Sequence, residues 1–223
     1  MNPVLEDFIT NNTQTQWVQP ATTPHDLVNS DWPWAPHRPP HFDAAIIEEE
    51  MAAIDHLFVE HRARDKIHSY GHDGWWSLTL HGTQPDHTEH WDRYGFKSLE
   101  EANYQWTSVN DLIPTTSKLI RALPFRNWGR VRIMRLAPGG YIMPHTDGPG
   151  RIWGPYNLAL TNPPGCQFVF QDRGVVPFEP GLGFILDIGR QHALYNNSDQ
   201  PRYHAIVHGQ YTTPQHHLVE ATL

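Results

Sequence analysis

Three His-x-Asp triplets occur in the sequence, at His41-Phe42-Asp43, His90-Trp91-Asp92 and His145-Thr146-Asp147. An imidazole and a carboxylate two residues apart can grip one metal ion. Joined by a second imidazole they make the facial set of a non-haem iron(II) centre, whose opposite positions stay open for oxygen and a co-substrate. With 16 histidines in 223 residues, about one such triplet is expected by chance, so context must choose among the three.

Context favours the third. Tyr141, Met143 and His145 share a face if the stretch is a strand, and Asp147 falls near that face as the strand enters the turn Gly148-Pro149-Gly150. His192, at the end of Asp187-Ile188-Gly189-Arg190-Gln191-His192, follows three to four strands later, enough chain to return beside His145. Arg202 lies ten residues further on, in a run Arg202, His204, Ile206, His208 that shares one face of a strand. Its planar fork suits a carboxylate held near the metal. His41, Asp43, His87 and Lys97 show nearly the same spacings, but the chain between them has a helical rather than a strand pattern, so they would not converge.

The elements needed to position these residues can be read from periodicity. After Trp128 the chain becomes short strands at 131–136, 141–145, 156–161, 167–171, 184–187, 191–196 and 202–208. Breakers separate them, among them Pro138-Gly139-Gly140, Asn162-Pro163-Pro164-Gly165 and Pro180-Gly181. Such spacing indicates a sandwich or barrel, and a double-stranded β-helix (a jelly roll, cupin-like) is the version that leaves a ligand cavity between its sheets. Upstream, Asp43 caps a helix beginning at Ala44 on which Ile47, Met51, Ile54 and Phe58 share one face, and that helix should lie against a sheet. From Trp75 the period changes to two, and 115–123 reads as a short helix stopped by Pro124. Residues 83–110 read as loop and short turns. The expected class is mainly β with flanking helices. Its parts are a Pro- and Trp-rich extension over 1–42 in which prolines deny a long helix, a helical and mixed support region over 43–127, the catalytic core over 128–212, and a tail over 213–223.

The run from Arg132 to Asp147, with Arg135-Leu136-Ala137-Pro138-Gly139-Gly140 at its centre, then His192 and Arg202, resembles the aspartyl/asparaginyl β-hydroxylase-like branch of the iron(II)/2-oxoglutarate oxygenases, which includes cis-proline hydroxylases. The resemblance covers roughly the C-terminal 80 residues. It implies that His145, Asp147 and His192 bind iron(II), and that Arg202 binds the distal carboxylate of 2-oxoglutarate. Asn157 would be a second contact to the co-substrate, and His204 stands where many such oxygenases place a helping hydroxyl. The animal aspartyl/asparaginyl hydroxylases have glycine in place of the motif's carboxylate, so the retained Asp147 sides with the bacterial amino-acid hydroxylases. It also argues against a halogenase, which needs that position vacated for halide. The implied reaction consumes O2, releases succinate and carbon dioxide, and hydroxylates an unactivated carbon of an amino acid, amino-acid derivative or peptide side chain.

Other residues carry competing readings. Arg132 and Arg135 lie on opposite faces of one strand, so at most one points inward; if that one is Arg135, it could meet a substrate carboxylate. Arg151 and Trp153 follow the metal turn and could form part of a substrate lid. Trp75, Trp76 and His81 read first as core. Cys166 is the single cysteine, a small buried filler that excludes an intrachain disulfide and fits a reducing compartment. A net charge of -8 gives no footprint for a nucleic-acid backbone. Nothing approaches the roughly 20 apolar residues of a membrane span, so a cytoplasmic protein is expected. Two rivals remain: a cupin-like metal-binding sensor, which has no reason to keep a carboxylate fork, and a cupin dioxygenase that works without a co-substrate.

Overall fold

The computed structural model describes residues 2–13, 33–37, 39, 41–62, 71–150 and 153–211. Its helices are α1 (Pro3–Thr13), α2 (Ala44–Ile54), α3 (Leu99–Ala102), α4 (Val109–Leu112) and α5 (Pro114–Arg121). Its strands are β1 (Trp34–His37), β2 (Val59–Glu60), β3 (His72–Gly82), β4 (Gln105–Trp106), β5 (Phe125–His145), β6 (Trp153–Ala159), β7 (Cys166–Phe170), β8 (Gly174–Val175), β9 (Gly183–Asp187), β10 (His192–Asn196) and β11 (Arg202–Tyr211).

The strands pair antiparallel in the order β1-β9-β6-β11-β5-β10-β7-β8, with β3 added to β5 and carrying β2 and β4. β5 belongs to both halves of this curled sheet. Its first part pairs with β11 from Phe125 to Leu136, and its last part pairs with β10 from Tyr141 to His145. The protein is thus a double-stranded β-helix, one half being β9-β6-β11-β5 and the other β5-β10-β7-β8.

The Pro138-Gly139-Gly140 tract, expected to separate two strands, instead bends one strand of 21 residues. Gly139 has φ +72°, a value that favours glycine. Across the bend, a Cβ on Gly74 of β3 would sit 3.1 Å from both Ala137 Cβ and Gly140 Cα. The breakers act here by letting β5 change partners while β3 follows it.

Alternation along the strands sorts the side chains. Val131, Ile133, Leu158, Ile185, Ala205 and Val207 face outward and pack under Ile47, Met51 and Ile54 of α2 and Leu119 and Ile120 of α5. Each large aliphatic side chain buried there contributes about 1.5–3 kcal/mol. Leu136, Ile142, Phe168, Phe170, Phe184, Leu186 and Leu194 form a second cluster between the two halves. α2 starts as expected, with the Asp43 carboxylate accepting from Ala45 N.

The N-terminal segment differs from expectation. Residues 3–13 form a helix, because the prolines that forbid one begin only at Pro20, and Pro3 occupies the first helical turn where a missing N–H costs nothing. Leu5 and Ile9 of α1 cover Val169 and Ala193 on the outer face of the second half-sheet. Trp34 of the Trp-rich stretch is fully buried and stacks on Phe170 with ring centroids 5.7 Å apart; Trp17 and Trp32 lie outside the described residues. No helix among the described residues is long and apolar enough to cross a membrane.

α2 and α5 are joined by the Glu50 carboxylate, which accepts from Thr115 N (2.7 Å), Thr116 N (2.8 Å) and Thr116 Oγ1 (2.7 Å). It caps α5 from another helix and meets the positive end of the α5 dipole. Glu50→Ala is expected to lower stability by about 1–2 kcal/mol in urea unfolding while leaving metal affinity unchanged.

Candidate active site

Register places the two imidazoles side by side, since His192 of β10 pairs directly with His145 of β5. Their ring centroids are 4.3 Å apart. Asp147, just past the end of β5, donates its backbone N–H to Ile188 O at 3.0 Å, which holds the turn against the segment leading into β10. Its carboxylate then lies 3.9 Å from His145 Nε2 and 4.0 Å from His192 Nε2. One ligand atom from each of the three residues falls within 4.8 Å of the others.

Hydrogen bonding prepares both rings for a metal. His145 Nδ1 donates to Met143 O at 2.8 Å and His192 Nδ1 donates to Arg190 O at 2.9 Å. A carbonyl can only accept, so each ring carries its proton on Nδ1 and presents the Nε2 lone pair to the shared point. His192 stacks on Phe168 at 5.1 Å with the planes 9° apart. Burial, and then the proximity of His192, push the His145 pKa down to about 4; burial also lowers that of His192. Two neutral imidazoles and one carboxylate, preset in tautomer and spacing, fit iron(II).

The parity expected for β5 is wrong in detail. Tyr141 and Met143 face outward toward α1, whereas Ile142 and His145 line the cavity. Between them the register slips, three residues of β5 spanning two of β10. A bulge beside Pro144, which has no N–H for the ladder, re-aims His145 inward.

The cavity behind the triad measures about 270 Å³. Arg202 and His204 line it from β11, and Asn157 lines it from β6. Arg202 is buried, donates from Nε to Asn162 Oδ1 at 3.2 Å, and has its guanidinium carbon 5.2 Å from the Phe178 ring centroid. Burial lowers its pKa to about 10, so it remains charged at neutral pH. Its Nη2 donates to His204 Nδ1 at 2.9 Å, which leaves the His204 proton on Nε2, an atom with no hydrogen-bond partner among the described residues. Burial, then the Arg202 charge, holds the His204 pKa well down, so this ring is a neutral donor. Asn157 spends its Nδ2 on Pro155 O at 2.9 Å and keeps its side-chain oxygen.

Other predicted residues lie elsewhere. Arg135 is a correction: it points out of the barrel and pairs with Asp55 Oδ1 at 2.5 Å, so it cannot meet a substrate in the cavity. The inward arginine of the pair is Arg132. Arg151 lies outside the described residues, and Trp153 is described only as backbone of β6. Asp43 caps α2, while His90 and Asp92 form an exposed pair at 2.8 Å, so neither other His-x-Asp triplet joins a metal group among the described residues. Trp75 packs against the core as expected and also lines the cavity, meeting His61 edge-on at 4.2 Å; His81 is core as expected, whereas Trp76 is a second correction, being exposed. Cys166 is a free buried thiol whose pKa burial raises, consistent with a filler. Sequence reasoning missed Arg130 and His61 as cavity residues. Arg130 shares strand parity with Arg132 and could have been found that way; His61 reaches the cavity only through tertiary packing.

A family model described as aspartyl/asparaginyl beta-hydroxylase matches residues 42–210. No curated protein matches the chain by sequence. Among solved structures, a Pseudomonas putida prolyl-4-hydroxylase is similar at 15% identity and TM-score 0.43, over 82% of this chain and 95% of that one. The viral collagen prolyl hydroxylase of Paramecium bursaria Chlorella virus-1 is similar at 13% identity and TM-score 0.42, over 79% and 95%. The Trichoplax adhaerens prolyl hydroxylase is similar at 12% identity and TM-score 0.46, over 86% and 89%.

Four buried or half-buried imidazoles, His61, His145, His192 and His204, stay neutral in the fold, each with a pKa lowered chiefly by burial. In the unfolded chain a histidine protonates near pH ~6.5, so below that value the unfolded state takes up protons that the fold refuses. Stability of the metal-free protein should therefore be full above that pH and fall as the pH drops toward the depressed folded values. Urea midpoints at about pH 7.5 and about pH 5 check this, with a clearly lower midpoint expected at the acid end.

Proposed function

Since the chain belongs to the aspartyl/asparaginyl beta-hydroxylase family, we propose that His145, Asp147 and His192 hold its iron(II) and that Arg202 holds the distal carboxylate of 2-oxoglutarate. The protein is an oxidoreductase of the iron(II)- and 2-oxoglutarate-dependent class, a hydroxylase on a jelly-roll frame. The observation that carries the site assignment is the convergence on one cavity of the triad and of a buried arginine with no carboxylate partner among the described residues.

When bound, iron(II) supplies the activation of O2 that couples decarboxylation of 2-oxoglutarate to hydroxylation of an unactivated carbon, with succinate and carbon dioxide released. The chain's own residues bind, orient and exclude water. Arg202 offers a fork to the far carboxylate, a charge-assisted contact strengthened by the aromatic wall of Phe178. His204 donates from Nε2 into the same space without adding a second full charge. Asn157 can add a contact from its side-chain oxygen to a donor group on a bound ligand. Phe168 and Phe178 keep this end of the site dry; Phe168 also fixes the plane of His192.

The substrate on this reading is an amino acid, an amino-acid derivative or a peptidyl side chain, and the setting is the cytoplasm, in keeping with a single buried cysteine. A metal-binding sensor would have no use for Arg202 as it is placed. A cupin dioxygenase without co-substrate would turn over without making succinate.

Anaerobic addition of iron(II) and 2-oxoglutarate should produce the weak visible charge-transfer band of the chelate. His192→Ala should abolish it, since two ligands hold the metal poorly. Arg202→Ala should keep iron binding and weaken 2-oxoglutarate by about 1.5–3 kcal/mol. Survival of the band in His192→Ala, or turnover without succinate, would contradict the assignment.

A further inference from the structure

Among the described residues, two arginines of the cavity have no ion-pair partner, and neither is used by the site as assigned above. Arg130 and Arg132 stand two residues apart on the inward face of β5 and both line the cavity. Nε and Nη1 of Arg130 and Nε of Arg132 are buried without a hydrogen-bond partner among the described residues. Arg132 Nη1 donates to Thr88 O at 2.9 Å, a neutral acceptor. Glu89 is near enough to act on Arg130 through space, yet among the described residues neither arginine is in an ion pair. Among the described residues the one carboxylate lining the cavity is Asp147, which belongs to the metal triad.

Both guanidinium groups stay charged at neutral pH, and burying such a group unpaired costs several kcal/mol even after relaxation. Burial lowers the pKa of both; the Arg130 charge is the next cause acting on Arg132. A packed core would not select such an arrangement, whereas a site that meets its anion on binding would. Charge balance narrows the ligand. Arg62 also lines the cavity and has its guanidinium carbon 5.6 Å from the Trp75 ring centroid. With Asp147 and the near carboxylate of 2-oxoglutarate set against iron(II), and its far carboxylate against Arg202, the charges of Arg130 and Arg132 are left without an ion-pair partner among the described residues. One carboxylate would satisfy one of them.

The geometry points to a small dicarboxylate as the substrate, its two carboxylates taken by Arg130 and Arg132. The inference rests on the assignment of iron to the triad and 2-oxoglutarate to Arg202. Side chains at i and i+2 on one strand face are about 6.6 Å apart at the backbone, which suits two forks gripping two separate carboxylates better than one compact phosphate. A cavity of about 270 Å³ that must also admit 2-oxoglutarate favours a free small molecule over a bulky protein segment.

Calorimetry under nitrogen, on protein loaded with iron(II) and 2-oxoglutarate, tests this with matched pairs: L-aspartate against L-asparagine, L-glutamate against L-glutamine, and O-phospho-L-serine as the single-phosphate control. In at least one pair the acid should bind about 10- to 100-fold more tightly than its amide. Arg130→Met and Arg132→Met should each erase that preference while the charge-transfer band and 2-oxoglutarate affinity persist. Arg130→Met should also unfold at no lower urea concentration than the wild type, because it removes a buried charge that the fold leaves unpaired. Equal binding of acid and amide, preference for phosphoserine, no binding of any acid at millimolar concentration, loss of 2-oxoglutarate affinity in both variants, or marked destabilisation by Arg130→Met would each overturn the proposal. If the wild type gives no charge-transfer band, the co-substrate assignment fails instead, and the same pairs titrated into metal-free protein decide the arginine assignment by the same criterion.

Discussion

Strand β5 must satisfy its backbone hydrogen bonds in two half-sheets at once, and the position of the site follows from how it does so. From Phe125 to Leu136 its ladder is shared with β11, and from Tyr141 to His145 with β10. Each unpaired buried amide would cost on the order of 1–3 kcal/mol, so the change of partner has to be abrupt and local. Pro138, Gly139 and Gly140 provide the bend, and Gly74 lets β3 approach closely enough to follow it. The arginines then fall on one half of the barrel and the metal triad at the end of the other.

The bulge beside Pro144 is the second such constraint. An extra residue on β5 turns the side-chain alternation over, so that His145 faces His192 across a direct register pair. The carbonyls of Met143 and Arg190 then set the tautomers, each from two residues upstream of the ring it fixes. Main chain thus supplies the orienting contacts to the two imidazoles, and Asp147 is left free to act as a ligand.

Electrostatically the cavity is the reverse of a stable core. Among the described residues it gathers Arg62, Arg130, Arg132 and Arg202 around one carboxylate, and His61, His145, His192 and His204 are held neutral chiefly by burial. The chain as a whole carries a net charge of -8, so the positive interior is a local arrangement and not a reflection of composition. An enclosed positive pole of this kind selects for anions by desolvating its guanidinium groups before the ligand arrives.

Much of this was readable from residue order. The β class, the capped helix at Ala44, the strands after Trp128 except for the joined β5, and the spacing of His145, Asp147, His192 and Arg202 all depend on local periodicity, turn chemistry and motif spacing, which are properties of neighbouring residues. Tertiary structure decided what local pattern leaves open. It turned an apparent turn at Pro138-Gly139-Gly140 into a bend within one strand, because β3, β10 and β11 were there to pair with both sides. It sent Arg135 outward to Asp55 and Arg132 inward, a choice parity allows either way until the sheet has neighbours on each face. It also brought His61 and Trp75 to the cavity. Sequence spacing fixes which side chains can share a face; only the burial of one face against another determines which of them meet.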